Sequence, residues 1–170
     1  MDAITAIKTR RSVRDFTEQP ITKEILEELV ECGRIAPSGH NKQGRYFLVL
    51  TEKEKINGVG KIATWARFIA DKARACILVF CDEKECLTLL EDGSAAAENI
   101  IIAATAQGLG SCWVAGYGMP YSSEIEAFVA APANMKVISI IPLGYPASDL
   151  PPRPPKKELS EVLNWNYFNV

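Results

Sequence analysis

Histidine, hydrolase motifs and paired cysteines are scarce in this sequence, and their scarcity narrows its chemistry first. His40 is the one histidine, so a mechanism that needs two, including an ordinary zinc hydrolase centre, is excluded. A Ser-His-Asp triad would have to use His40, yet its neighbour Ser38 lies in a loop without the G-x-S-x-G elbow. No P-loop sequence occurs, and Gly108-x-Gly110 follows a predicted helix and precedes a predicted strand, the reverse of a dinucleotide-binding context. That pair reads as a helix terminator.

Excess charge is also missing. Nineteen basic and twenty-one acidic residues give a formal charge of −2, which excludes bulk attraction to nucleic acid or an anionic membrane but leaves a local anion site open. The most apolar stretch, GSAAAENIIIAATA, is broken by Glu98, Asn99 and Thr105 and falls short of the roughly 20 apolar residues a bilayer span requires. The N-terminus carries no long apolar segment of the secretory kind. The expectation is a cytoplasmic protein with reduced thiols. Five cysteines are present, and Cys76, Cys81 and Cys86 recur at five-residue intervals around Ile77–Phe80. That spacing is unlike metal-binding C-x₂-C pairs and reads as buried strand cysteines.

What is present suits one domain over 1–170, with 48% hydrophobic and 24% charged residues. Asp2 is placed to cap a helix over Ala3–Thr9, with Ala3, Ile4 and Ile7 as its apolar side. After Pro20 and Thr22, a second helix puts Ile25, Leu26, Leu29, Val30, Gly33 and Ala36 on one face, and Pro37 ends it. A polar loop, Ser38–Gly44, leads into a β-rich run from Arg45 to Thr51. Short helical segments near Glu52–Val59 and Thr64–Lys72 precede a strand at Ala75–Cys81 and the longest helix, about Leu87–Gln107, which is apolar nearly all round. Strands are predicted at Ser111–Ala115 and Lys136–Leu143, separated by a helix around Ser123–Ala130 that Ser122 or Ser123 would cap. From Gly144 onward, five prolines in fourteen residues imply an extended surface segment. The tail WNYFNV is apolar enough to require docking, on its own domain or on a partner.

Three loop segments could carry chemistry. Arg10, Arg11, Ser12 and Arg14 cluster after the first helix. They suit a phosphate, through guanidinium forks and a short hydroxyl donor, or they are a solvated basic turn that complements the helix end. Pro37-Ser38-Gly39-His40-Asn41-Lys42-Gln43 offers amide side chains suited to the edge of a planar heterocycle, though alone it is a polar turn. Arg153 stands isolated among prolines, either solvated or held toward an anion.

In this order the segments resemble the FMN-dependent nitroreductase family, over nearly the whole chain. The resemblance rests on R-R-S-x-R at Arg10–Arg14, F-x-x-x-P at Phe16–Pro20 and A-P-S-G-x-N-x-Q at Ala36–Gln43. It continues with A-A-x-N-x-x-x-A-A at Ala96–Ala104, G-L-G-S-C-W at Gly108–Trp113 and P-L-G-Y-P at Pro142–Pro146, with Arg153 beyond. It implies an α+β fold with a central, mostly antiparallel sheet flanked by helices. It further implies an intertwined homodimer in which residues 144–170 dock on the partner subunit and two FMN molecules lie at the interface.

By the same resemblance, Arg10, Arg11, Ser12, Arg14 and Arg153 would hold the phosphate and ribityl end. Pro37, Ser38 and Asn41 would approach the isoalloxazine from the partner subunit, with Gln43 nearby. Val114, Ala115 and Gly116 would lie on the ring's other face, where a backbone N–H reaches N5. The implied activity passes hydride from NADH or NADPH through flavin N5 to a small electron-poor acceptor, a nitroaromatic or a quinone, by a ping-pong mechanism. No catalytic side chain and no metal are expected, because the cofactor carries the chemistry. The alternative is an FMN carrier or sequestering protein with little turnover, and a third reading treats the arginines as a partner-binding surface without flavin. Two departures stand out: Gly44-Arg45 replaces the Pro-aromatic pair common in the family, and the intervals 51–75 and 116–136 are short. Both point to an altered or more open pocket.

Overall fold

A computed structural model describes residues 1–150 and 152–168. In chain order its elements are α1 (Ala3–Thr9), α2 (Lys23–Arg34), β1 (Arg45–Leu50), α3 (Lys53–Ile62), α4 (Phe68–Lys72), β2 (Ala75–Asp82), α5 (Leu89–Ala106), β3 (Gly110–Ser111), β4 (Val114–Ala115), α6 (Ser122–Phe128), β5 (Met135–Gly144) and α7 (Leu159–Val162). Single 3₁₀ turns occupy Gly39–Asn41 and Thr64–Ala66. No helix among the described residues is long and apolar enough to cross a membrane.

The five strands form one antiparallel sheet in the order β1-β2-β5-β3, with β4 also paired to β5. All eight residues of β2 are buried, as a continuous apolar run demands of a strand covered on both faces. Its alternation divides the core. Ala75, Ile77 and Val79 pack with Leu26 and Leu29 of α2 and with Ala96, Ile100 and Ala104 of α5. Cys76, Leu78 and Phe80 face the other way, toward Ile56 and Val59 of α3, Ile69 of α4 and Ile125 of α6. Helix α5 is wrapped by this packing: no residue between Asp92 and Ala106 is exposed, which accounts for its all-round apolar composition.

Local signals set most boundaries where they were expected. The Asp2 carboxyl accepts the Thr5 N–H at 3.0 Å and begins α1, and Thr22 Oγ1 accepts the Ile25 N–H at 3.5 Å at the start of α2. Other details differ. The predicted strand Ser111–Ala115 is split into β3 and β4, although Gly110↔Gly144 and Ala115↔Ser139 belong to one unshifted register with β5. The break falls opposite Pro142, which has no N–H to donate to the ladder. Helix α6 is not capped by Ser122 or Ser123. Its N-cap is Tyr121, and the Ser122 hydroxyl instead donates to the carbonyls of Met119, at 2.7 Å, and Gly116. Cys76 and Cys81 are strand residues, but Cys86 lies beyond β2, where its N–H donates to the Asp82 carbonyl at 2.9 Å.

The predicted apolar side of α1 is not covered: Ile4 and Ile7 stay exposed, and Ala6 alone is buried. The segment from Pro152 to Glu158 runs without regular structure, followed by α7, which the proline-rich composition did not announce. Trp165, Tyr167 and Phe168 are 77%, 82% and 84% exposed, so this chain alone does not cover the described part of its tail; Asn169 and Val170 of the expected docking tail lie outside the described residues.

Helices α3 and α4 touch at Gly60, where a Cβ would lie 2.2 Å from the Ala70 amide nitrogen and 2.8 Å from its Cα. Backbone cannot turn aside as a side chain can. Gly60→Ala is therefore expected to lower unfolding stability by about 1–3 kcal/mol, measured as a lower urea midpoint at unchanged slope. An unchanged midpoint would show that the two helices separate freely.

Candidate functional site

The arginine-rich segment is positioned by the free edge of the sheet. Ser12 bridges Ser111 in parallel fashion, and the Val13 N–H donates to the Ser111 carbonyl at 2.8 Å. Farther along, Phe16 bridges Pro146 and the Thr17 N–H donates to the Tyr145 carbonyl at 2.8 Å. Val13 and Phe16 are buried, so the segment is anchored by its apolar residues while Ser12 and Arg14 remain exposed.

Arg10, Arg11, Ser12 and Arg14 line one cleft together with Ile7, Glu98, Pro152, Arg153, Pro154 and Lys156, enclosing about 540 Å³. Five cations thus face one acid in a chain of formal charge −2. Part of this charge meets the helix end. Arg153 Nη2 donates to the carbonyls of Ile7, at 3.4 Å, and Lys8. Arg11 Nη1 donates to Thr9 O at 2.9 Å and Arg10 O at 3.0 Å. These contacts complement the C-terminus of α1, which explains two of the arginines structurally. The rest is loosely held. Arg10 Nε lies 3.6 Å from Glu98 Oε1 in a partly exposed pair, which is worth little in water. Arg14 stands 6.0 Å from the Phe68 ring. Arg11 Nε is buried with no partner among the described residues, an unmet donor at the cleft wall.

The same sheet edge presents backbone donors. The Cys112 N–H donates to Pro142 O at 3.4 Å and the Gly116 N–H to Ile138 O at 2.9 Å. Ladder alternation then turns the N–H and C=O groups of Ser111, Trp113 and Ala115 away from β5. The carbonyls follow that rule: Ser111 O takes Val13, and Ala115 O accepts the Tyr121 hydroxyl at 2.7 Å. Of Val114, Ala115 and Gly116, it is Ala115 whose amide faces outward. Val114 is buried, and the Gly116 N–H is occupied.

The loop after α2 is not part of the arginine cleft. Pro37, Asn41 and Gln43 are exposed and Ser38 half-buried, and none of them lines it. His40, Asn41 and Gln43 adopt φ of 49°, 56° and 55°, the left-handed region that costs a non-glycine residue about 1–2 kcal/mol. The loop meets α5 at Asp92, whereas Arg10 meets that helix at Glu98. Six residues of helix separate the two contacts by about 9 Å along the axis and roughly 120° around it. The two groups therefore look out from different sides of α5.

Comparison with known proteins identifies the arrangement. The family model described as "Putative TM nitroreductase" matches residues 2–169. The chain belongs to the nitroreductase family. A relative named "Putative NADH dehydrogenase/NAD(P)H nitroreductase" from Methanothermobacter thermautotrophicus is 31% identical over 153 residues, covering 88% of this chain and 80% of the relative. A solved structure of the same description from Bacteroides thetaiotaomicron superposes with a TM-score of 0.91 at 29% identity, covering 98% of both chains. An FMN-dependent nitroreductase from Clostridium difficile R20291 gives a TM-score of 0.88 at 26% identity, covering 97% of this chain and 99% of its own.

Within this nitroreductase-family fold, two charged cleft residues were not among the expected site residues. Lys156 sat in the proline-rich surface segment without a role of its own, and Glu98 sat in the buried helix as an interruption. No periodicity distinguishes either, because the fold alone brings them to α1. Cys112 lies beside Ser12, Arg14 and Arg10, yet burial outweighs these groups and pushes its thiol up. Burial likewise raises Cys76, Cys81 and Cys86, and burial with Glu28 and Glu31 raises Cys32. The site thus holds no activated thiolate. Iodoacetamide at neutral pH is expected to modify half-buried Cys32 slowly and the four buried cysteines only after unfolding, as read by mass spectrometry. Rapid native labelling of Cys112 would contradict this.

Proposed function

We propose that this chain is an NAD(P)H-dependent flavin oxidoreductase that binds FMN along the β3–β4 edge and reduces a small electron-poor acceptor, such as a nitroaromatic or a quinone. The observation that carries the reading is the cationic cleft opening beside an outward-facing backbone amide on the same edge. Ser111 to Ala115 spans about 13 Å of strand, a distance that a ribityl phosphate and its ring bridge. Arg10, Ser12, Arg14 and Lys156 fit a phosphate as donors not absorbed by the helix end. Arg153, clamped on the carbonyls of Ile7 and Lys8, holds the proline segment over this end.

FMN would supply, when bound, an N5 atom able to accept hydride from NADH or NADPH and pass it on. The chain's own task is to place that atom and shield the ring. The Ala115 N–H would be the donor offered to it, on a strand held by the ladder and by the Tyr121 hydroxyl, which donates to the Ala115 carbonyl. No protein nucleophile is required, which accords with the raised thiols and the single histidine, exposed His40. Donor and acceptor would use one slot in turn, giving ping-pong kinetics.

A homodimer completes this reading. Pro37, Ser38, Asn41 and Gln43 face a different side of α5 from the cleft, so in a dimer they would be free to meet the ring bound by a second subunit. Exposed Ile4 and Ile7 on α1, with Leu159, Trp165, Tyr167 and Phe168 in the tail, supply apolar surface for the subunit contact, with residues 144–170 docking on the partner.

An absorption spectrum before and after anaerobic NADH and NADPH tests the proposal. A two-band flavin spectrum that bleaches promptly is expected; a spectrum that stays yellow would favour an FMN carrier, and failure to take up FMN would refute the reading. Arg10→Ala should weaken FMN binding by about 1.5–3 kcal/mol, measured by fluorescence titration. Removing residues 158–170 is expected to shift sedimentation from dimer toward monomer and to weaken FMN binding with it.

A further inference from the structure

The departure Gly44-Arg45 has a defined structural consequence. Arg45 does not enter a ligand cleft; it opens β1 and is 8% exposed. Its guanidinium turns back under the preceding loop, donating from Nη1 to Pro37 O at 2.6 Å and from Nη2 to Ala36 O at 2.7 Å and Arg34 O at 3.2 Å. One side chain therefore closes the end of α2 and fixes the entry to the loop. Farther into the loop, Asp92 of α5, 3% exposed, accepts the Gly39 N–H at 2.9 Å and the Thr88 hydroxyl at 2.8 Å, both on Oδ1. Its Oδ2 is buried without a partner among the described residues. Between these holds, the Gln43 N–H donates to Ser38 Oγ at 3.1 Å and ties the loop's exit to its entry.

Two buried charged groups are an expensive way to pack a turn. They are placed where left-handed backbone at His40, Asn41 and Gln43 must be held against its own preference. They also leave Asn41 and Gln43 exposed, with the Gln43 side-chain amide donating to Asn41 O at 3.3 Å. We propose that Arg45 and Asp92 are positioning residues that preset the Pro37–Gln43 loop for the flavin ring, while the phosphate end is held independently by the arginine cleft. This rests on the reading that the loop meets the ring in the dimer. It predicts a division of effects: loosening the loop impairs the chemistry at the ring far more than the retention of the cofactor.

Arg45→Met and Asp92→Ala remove the two holds; Asp92→Asn keeps an oxygen acceptor for Gly39 and Thr88. Amide hydrogen exchange in the FMN-free protein is expected to rise by about tenfold or more across residues 38–43 in the first two variants and to stay near the parent in Asp92→Asn. In the FMN-loaded protein, flavin reduction by NADH should slow by about tenfold or more in Arg45→Met and Asp92→Ala. The visible circular dichroism of the flavin should change with it. The FMN dissociation constant should stay within about threefold of the parent. If Arg45→Met does not fold, the Asp92→Ala and Asp92→Asn pair carries the comparison. Unchanged loop exchange would overturn the clamp. Faster exchange with unchanged reduction rate and dichroism would overturn its role toward the ring. A parent protein that takes up no FMN would overturn the flavin reading and this role together, and that result precedes any variant.

Discussion

Burial of β2 on both faces is the constraint from which the rest of this architecture follows. Eight consecutive residues without exposure require an apolar layer above and below, and α2 with α5 on one side and α3, α4 and α6 on the other provide them. A sheet sealed in this way offers polar chemistry only at its edges. One edge is β1. The other is the broken line of β3 and β4, where backbone groups turn outward and the arginine-rich segment is attached through Ser111. The candidate site lies at that second edge because backbone polarity is available there without disrupting the core.

Charge is distributed according to the same logic. The basic residues near α1 do two different things: Arg11 and Arg153 meet carbonyls at the helix end, whereas Arg10, Arg14 and Lys156 line the cleft with weaker local commitments. A phosphate would compete poorly for the first group and well for the second. Arg45 and Asp92 are the opposite case, buried and committed to backbone. Charge that is held rigidly positions other groups, and charge that is held loosely is free to bind. In the cleft the two kinds stand side by side, whereas at the Pro37–Gln43 loop Arg45 and Asp92 are both of the held kind.

The elements were largely legible in the sequence because their signals are local. Asp2, Thr22 and Pro37 bound their helices through short-range hydrogen bonding and sterics, and the unbroken apolar run at Ala75–Cys81 declared a strand. The errors arose where a distant partner intervened. Pro142 split the strand at Cys112, thirty residues away. Ser122 abandoned helix capping for the carbonyls of Gly116 and Met119. Arg45 read as an uncertain wall of a pocket, since nothing nearby in sequence reveals that three carbonyls of the chain's end-of-helix turn converge on it.

The motifs at Arg10–Arg14, Ala36–Gln43 and Gly108–Trp113 carried the family and the kind of ligand, since guanidinium, hydroxyl and amide groups have fixed hydrogen-bonding chemistry wherever they are placed. By itself the sequence therefore determined the fold class, the helix and strand periods and the chemical inventory of the site. Tertiary structure alone decided which arginines are already engaged, that Ala115 rather than Gly116 turns its amide outward, that Lys156 and Glu98 join the cleft, and that the Pro37–Gln43 loop faces away from it. The reason is physical: local sequence sets propensity and chemistry, but direction and neighbourhood are set by the sheet register and by the turn of α5, which are properties of contacts far apart along the chain.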